Sequence, residues 1–206
     1  MKIFQTFEFD LTTYERELND FSQLLENNIN LDERTHILPF FRQRLHLSSR
    51  IAALFSEFEN IDKIAFEYDL WGDFSCDLVI GDSSSKNFCF VEFEDANVNS
   101  LFSNNGRFKP KFSYRFEQGY SQVVDWFFQL KEQAGINQIY ERFLTNSIDF
   151  EGILVIGRNH YLDEGQRNRI NWRSKKIMVD SKRIRIITYD DLFLTLDSRL
   201  KNRVFL

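Results

Sequence analysis

The chain has 206 residues, with 31 Asp+Glu against 26 Lys+Arg, a formal net charge of -5, 43% apolar and 28% charged side chains. That size and balance give one sizeable core, while only 2 Pro and 8 Gly exclude a linker-rich or disordered chain. No apolar run reaches the ~18 residues of a membrane span, and the overall acidity excludes a general nucleic-acid coat protein.

The charge is unevenly spread. Residues 1–100 carry 8 Lys+Arg against 19 Asp+Glu, and residues 101–206 carry 18 against 12. A basic second half suits contact with a phosphate backbone. The 23 phenylalanines predict an aromatic-rich core. The N-terminus, Met1-Lys2-Ile3-Phe4-Gln5, has no export-signal core, so a cytoplasmic location is expected. Cys76 and Cys89 fall on adjacent predicted strands and read as two small buried apolar side chains. The lack of a CxxC and the scattered His36, His46 and His160 argue against a structural zinc site.

In chain order, Leu11, Tyr14, Leu18, Phe21, Leu24 and Leu25 recur at three- and four-residue spacings and predict an amphipathic helix over 11–27. Asp32 is a good N-cap for a second helix through Ile37, Leu38 and Phe41, with Pro39 in an early turn. The helical pattern continues over 45–58, then the period changes to two. Ile64, Phe66, Tyr68 and Leu70 alternate with Ala65, Glu67 and Asp69, a strand over 63–71. Trp71-Gly72-Asp73 turns into an apolar strand over 74–80, and residues 82–87 form a hairpin loop into a strand over 88–94. A polar loop is expected over 95–113, containing Asn104-Asn105-Gly106 and Lys109-Pro110-Lys111. Helix returns over about 114–133. Ile153-Leu154-Val155-Ile156-Gly157 reads as a central parallel strand, followed by a basic helix over 164–177, a strand over 184–188 and a helix over 190–200. The expected fold is a mixed-sheet α/β sandwich with a three-strand meander and no internal repeat.

Within this pattern the acids stand out. Phe88-Cys89-Phe90-Val91-Glu92-Phe93-Glu94 reads as a buried strand with Glu92 and Glu94 on one face. Desolvated neighbouring carboxylates are costly without a compensating cation. Asp77 adds a third acid in the preceding apolar strand, Phe74-Ser75-Cys76-Asp77-Leu78-Val79-Ile80. The trio predicts a site for a hard divalent cation such as Mg²⁺, which takes a few carboxylate oxygens and keeps several waters. Such a metal polarises a phosphodiester and lowers the pKa of bound water.

The stretches Glu33–Phe41 (ERTHILPFF), Phe66–Gly81 (FEYDLWGDFSCDLVIG), Phe88–Asn97 (FCFVEFEDAN) and Arg115–Trp126 (RFEQGYSQVVDW) carry a family likeness. Over about 30–200 the chain resembles the PD-(D/E)XK (restriction-endonuclease-like) nuclease superfamily and, more narrowly, the Shedu family of bacterial anti-phage nucleases. The resemblance implies an α/β fold with a mixed sheet flanked by helices over 31–206, and an N-terminal helical extension over 1–30. It implies a cytoplasmic Mg²⁺-dependent DNA endonuclease (Mn²⁺ as a possible substitute) acting on duplex, phage-derived DNA, homo-oligomeric, without membrane or small-molecule cofactor. The chain has room for that region and the helix, not for a large sensing domain.

Residue by residue, the resemblance gives Asp77 and Glu92 as the metal-binding pair and Glu33 as a supporting helix glutamate. It gives Gln122 as the glutamine of a QxxxY motif whose tyrosine is Trp126 here. Glu94 stands where the superfamily usually has lysine, and can act as general base or as a second metal ligand. Lys109 or Lys111 is a candidate for a migrated cation. Arg115, Lys109, Lys111 and Arg173 are candidate nucleic-acid contacts.

Plainer roles stand beside these. Glu67 and Asp69 read as the polar face of an edge strand, Glu33 as a helix-dipole partner, and Gln122 as a helix surface residue. Arg115 fits either a phosphate or the carboxylate cluster. Tyr114, Phe116, Tyr120, Trp126, Phe127 and Phe128 read mainly as core. Arg167, Arg169, Arg173, Lys175 and Lys176 fit either a solvated helix face or sequence-independent backbone contacts. The alternative to an active nuclease is a nuclease-fold module that binds nucleic acid or a protein partner but no longer cuts.

Overall fold

The structure is a computed structural model describing residues 4–72, 74–103, 109–133 and 137–202. A two-residue strand, β1 (Gln5–Thr6), precedes helix α1 (Leu11–Asn27). Asp10 caps that helix by accepting from the Thr13 N–H at 2.7 Å. Its buried stripe is Tyr14, Leu18, Phe21 and Leu25, as the spacing predicts.

Asp32 is the expected cap, accepting from the Arg34 and Thr35 N–H groups. The turn it starts, Glu33–Ile37, is wider than an α-helix. The Ile37 and Leu38 N–H groups reach back five residues, to the carbonyls of Asp32 and Glu33. Such widened turns recur at functional sites because they re-aim a side chain, here Glu33. The chain tightens into α2 (Leu38–Arg42) and then α3 (Leu45–Ser49).

The single helix expected over 45–58 does not form. It stops at Ser49, with only a tight turn at Ala52–Leu54 beyond it. The Ser48 and Ser49 hydroxyls donate to the Phe41 and His46 carbonyls, a local alternative to the helical ladder. Asp82 then draws in the Glu59 and Asn60 N–H groups, at 3.1 and 2.8 Å.

The meander is as predicted: β2 (Lys63–Leu70), β3 (Phe74–Asp82) and β4 (Asn87–Phe93) run antiparallel. The stretch 95–113 is not all loop. β5 (Phe102–Ser103) and β6 (Lys111–Phe112) pair into a small ribbon with Phe102 and Phe112 stacked 4.7 Å apart. Asn104-Asn105-Gly106 lies outside the described residues. Helix α4 (Tyr114–Glu132) follows, capped by Ser113, and then α5 (Asn137–Phe143), a helix the sequence did not announce.

The final elements are β7 (Asp149–Val155), α6 (Glu164–Lys176), β8 (Ile184–Ile187) and α7 (Tyr189–Lys201). The six-stranded sheet runs β1-β2-β3-β4-β7-β8, with β4, β7 and β8 mutually parallel. The architecture is α/β, a mixed sheet with helices on both faces.

Each face has its own apolar cluster. One joins Leu78, Ile80, Val91, Phe93 and Val155 to α1, the 37–58 segment and α7. The other joins Val79, Phe88, Phe90 and Leu154 to α4, α5 and Ile170 of α6. A Cβ on Gly152 of β7 would sit 2.7 Å from Val123 and Phe127, so glycine there lets α4 lie close on the sheet. Cys76 and Cys89 are free and buried, in different clusters, which fits the apolar reading. No described helix is long and apolar enough to cross a membrane.

One departure from simple alternation positions the site. Phe66 and Leu78 pack with the first cluster, whereas Tyr68 and Cys76, two residues away on the same strands, belong to the second. Residues two apart on a regular strand share a face. The reversal falls at Glu67, whose φ of 47° is left-handed. Glu67 is thus not the polar face of a regular edge strand. A residue without glycine's freedom is held in an uncommon conformation there.

Candidate active site

The β3–β4 ladder runs from Asp82–Asn87 to Leu78–Val91 and stops one residue short of Asp77. There the side chain replaces the backbone: Asp77 Oδ2 accepts the Phe93 N–H at 2.8 Å. The two strands part at this level, and a cleft of about 810 Å³ opens between the Glu33 turn, β2–β4 and α4. Five carboxylates line it, Glu33, Glu67, Asp77, Glu92 and Glu94, against three cations, Arg34, Arg42 and Arg115.

Glu92 is 6% exposed, and its Oε2 is fully buried without a hydrogen-bond partner. Burial first, then the Asp77, Glu94 and Glu33 charges, push its carboxyl well above the usual range. The Asp77 and Glu92 carboxyls lie within hydrogen-bond reach of each other. Burial lifts Asp77 to about 6 despite the Phe93 N–H that favours its anion.

Glu94, 5% exposed, is pushed up to about 7, burial outweighing the opposing Arg115 charge. Its Oε2 accepts from Arg115 Nη1 at 2.9 Å, and the same Nη1 donates to Glu33 Oε2 at 3.0 Å. Arg115 Nη2 lies 3.0 Å from Asp95 Oδ2, while Asp95 Oδ1 accepts the Glu33 N–H at 2.9 Å. One guanidinium thus ties together the widened turn, the end of β4 and the first turn of α4. Gly119, one helical turn on, is where the Glu94 side chain packs: a Cβ there would lie 3.0 Å from its Cγ and Oε1. Gln122 donates from Nε2 to the Ser75 carbonyl at 3.2 Å, pinning α4 to the splayed end of β3. Across the cleft, Glu67 pairs with Arg42 at 2.5 Å.

The chemistry of this donor set suits a hard divalent cation. All of its ligand atoms are carboxylate oxygens, and one of them is buried with nothing to accept from. Among the described residues no three such side chains already converge on one point. Two carboxylates completed by waters and substrate oxygens are a sufficient Mg²⁺ set. Asp77 and Glu92 are the adjacent pair that could hold one.

Asp77, Glu92, Glu94, Glu33, Gln122 and Arg115 all line this one cleft. Arg115 takes the carboxylate-cluster role of its two expected ones. Lys109, Lys111 and Arg173 do not line the cleft. The first two are exposed on the ribbon, and Arg173 pairs with Glu117 through two 2.7 Å bonds. The cation beside Glu94 is therefore Arg115 and not a ribbon lysine. Trp126, at the tyrosine position of QxxxY, is fully buried in the core.

The family model described as Shedu protein SduA, C-terminal, matches residues 15–193. The chain belongs to the Shedu family. Membership implies an anti-phage defence protein. No curated protein matches the chain significantly. The Shedu match spans every cleft residue named above, from Glu33 to Gln122.

Sequence reasoning missed Asp95, Arg42, Arg34, Glu67 and Gly119 as parts of the Shedu cleft. Asp95 directly follows Glu94, and a third acid within the four residues 92–95 at a strand end was a usable signal. Arg42 and Glu67 had none, since their meeting depends on the left-handed turn at Glu67.

Proposed function

We propose that this Shedu domain is a Mg²⁺-dependent endonuclease that hydrolyses phosphodiester bonds in duplex DNA, with a site of PD-(D/E)XK type. The observation that carries the proposal is the buried, unpartnered Oε2 of Glu92 beside Asp77. A buried acceptor left without a donor costs about 1–3 kcal/mol, which a purely structural position has no reason to retain. Asp77 and Glu92 hold the cation, with Glu33 supporting. When bound, Mg²⁺ or Mn²⁺ supplies Lewis-acid polarisation of the phosphate and a water of lowered pKa.

Glu94 is the group that takes the proton from the attacking water. Its carboxyl, raised to about 7, is poised for exchange near neutral pH. Arg115 orients Glu94 through the 2.9 Å bond and supplies the positive charge that a lysine at this place would bring. Gln122 keeps β3 and α4 in register across the cleft.

The test is conversion of supercoiled duplex DNA in Mg²⁺, Mn²⁺ or EDTA, run beside Glu92→Ala. Metal-dependent cutting that the variant lacks is expected. Equal cutting by the variant would refute the assignment. A second reading, a module that binds without cutting, is favoured by Glu94 itself, because a carboxylate replaces a lysine. Duplex binding in EDTA with no turnover in either metal would select it.

A further inference from the structure

A second surface, outside the cleft, has the composition of a docking site. Helix α6 turns Trp172 outward at 61% exposure, and the neighbouring Lys175 and Lys176 are exposed too. Among the described residues neither lysine has an ion-pair partner. Arg167 spends its donors on the neutral carbonyls of Asn159 and Leu162. Arg169 donates to the Pro110 carbonyl and lies 4.9 Å over each of the Phe102 and Phe112 rings. Among the described residues neither arginine is paired with an acid.

The Arg169 contact also fixes the ribbon against α6, setting the exposed Lys109 and Lys111 on either side of Pro110 beside the helix. Arg173 plays a different part. Its pairing with Glu117 and its place 4.3 Å over the Tyr120 ring weld α6 to α4. Glu117 adjoins Gln118 of the cleft lining, so this basic surface begins one helix away from the cleft.

We infer that the outward face of α6, with Trp172 at its centre and Lys175, Lys176, Lys109 and Lys111 around it, docks the phosphate backbone of the DNA held in the cleft. The inference deepens the nuclease proposal by naming where the flanking DNA lies. Charge complementarity commits it to a polyanion. An acidic cleft repels phosphates until its cation is bound, so affinity for DNA has to come from elsewhere on the molecule. Unneutralised lysines supply it without reading sequence. A tryptophan held in water among cations adds a flat face for a sugar or an exposed base.

The test uses the whole chain in EDTA, so that binding is read without turnover. Emission from Trp172, isolated as the difference between wild type and Trp172→Phe, is followed as a mixed-sequence duplex is added. Quenching is expected. Lys175→Glu/Lys176→Glu is expected to weaken binding about tenfold or more at moderate salt, and to reduce the slope of log K against log salt by about 2. Both lysines are exposed, so the fold is not at stake. Unchanged emission, or equal affinity in the double variant, overturns the inference. Quenching by anionic lipid vesicles but not by DNA overturns it too, in favour of a membrane surface. Absence of cleavage in Mg²⁺ with quenching intact counts against the nuclease proposal alone.

Discussion

β3 carries two acids five residues apart, Asp77 and Asp82, and their surroundings are opposite. Asp82, at the hairpin turn, is fully buried. Burial alone would raise its carboxyl, yet the Ser84 hydroxyl and the Asn60, Ser85 and Glu59 N–H groups together draw it down to about 2. Asp77, at the splayed end, receives one backbone N–H, faces Glu92, and is pushed up to about 6. Asp82 is fully buried and Asp77 partly, with buried Glu92 beside it, so burial alone does not mark the site. The supply of donors does: one end of the hairpin is saturated from within, and the other is left to be completed from outside.

Removing the acceptor at the open end gives the largest expected effect. Glu92→Gln is expected to lower DNA cleavage by about 10³-fold or more, on the order of 4 kcal/mol of transition-state stabilisation. Burial already pushes this carboxyl toward its neutral form in the metal-free protein, so exchanging it for a neutral amide of the same shape is expected to leave the thermal midpoint unchanged or higher. A fall in both cleavage and midpoint would make Glu92 a structural acid like Asp82.

Proton linkage sharpens the contrast. Asp77, Glu92 and Glu94 all have carboxyls raised on folding, Asp77 to about 6 and Glu94 to about 7. Between the ordinary carboxylate range and about pH 7 the folded state therefore holds more protons than the unfolded one. Stability without metal should fall as pH rises through that window, by on the order of 3 kcal/mol for each of Asp77 and Glu94. Mg²⁺ replaces those protons, so chemical denaturation in saturating Mg²⁺ should show the decline largely removed. A metal-free curve flat between pH 5 and about 7.5 would contradict the linkage.

At the closed end the sign reverses. Asp82 has a depressed folded carboxyl, so its contribution is present above the ordinary aspartate range and is lost as pH falls toward about 2. Asp82→Ala is expected to cost about 2 kcal/mol in urea denaturation at neutral pH, with cleavage per folded molecule unchanged. Loss of cleavage in excess of the unfolded fraction would tie the turn to the site and dissolve the contrast.

Much of this hairpin is written locally. The period-two run gave β2, the apolar runs on either side of the hairpin loop gave β3 and β4, and the acids at Asp77, Glu92 and Glu94 are anomalies visible in any apolar strand. What stayed hidden depends on groups far apart in sequence. Arg115 meets Glu33 from 82 residues away, and nothing near either residue encodes that pairing. The face reversal at Glu67 was hidden for another reason: a left-handed glutamate has no sequence signature, unlike glycine. The helix expected over 45–58 stops at Ser49, where the Ser48 and Ser49 hydroxyls turn to the Phe41 and His46 carbonyls instead of leaving the backbone to the helical ladder.

The smallest expected effect on stability probes the open end from α4. A Cβ at Gly119 would fall 2.9 Å from Leu154 Cδ1 and 3.0 Å from Glu94 Cγ and Oε1. Alanine gains about 1 kcal/mol of helix propensity over glycine, and overpacking costs about 1–3 kcal/mol, so Gly119→Ala should change stability by about 1 kcal/mol or less. Both neighbours have to give, Leu154 by a small shift of its Cδ1 and Glu94 by rotating its side chain away. Rotation breaks the Arg115 bond that orients it. Cleavage should then drop about tenfold with binding in EDTA unchanged, a loss of about 1.4 kcal/mol confined to the transition state. Gly165→Ala, at the start of α6 with only Asp163 Oδ1 at 3.3 Å, is the matched control and should leave cleavage as it is. If the two variants behave alike, Glu94 is not held in a working orientation, and its role reduces to that of one more acid paired with Arg115.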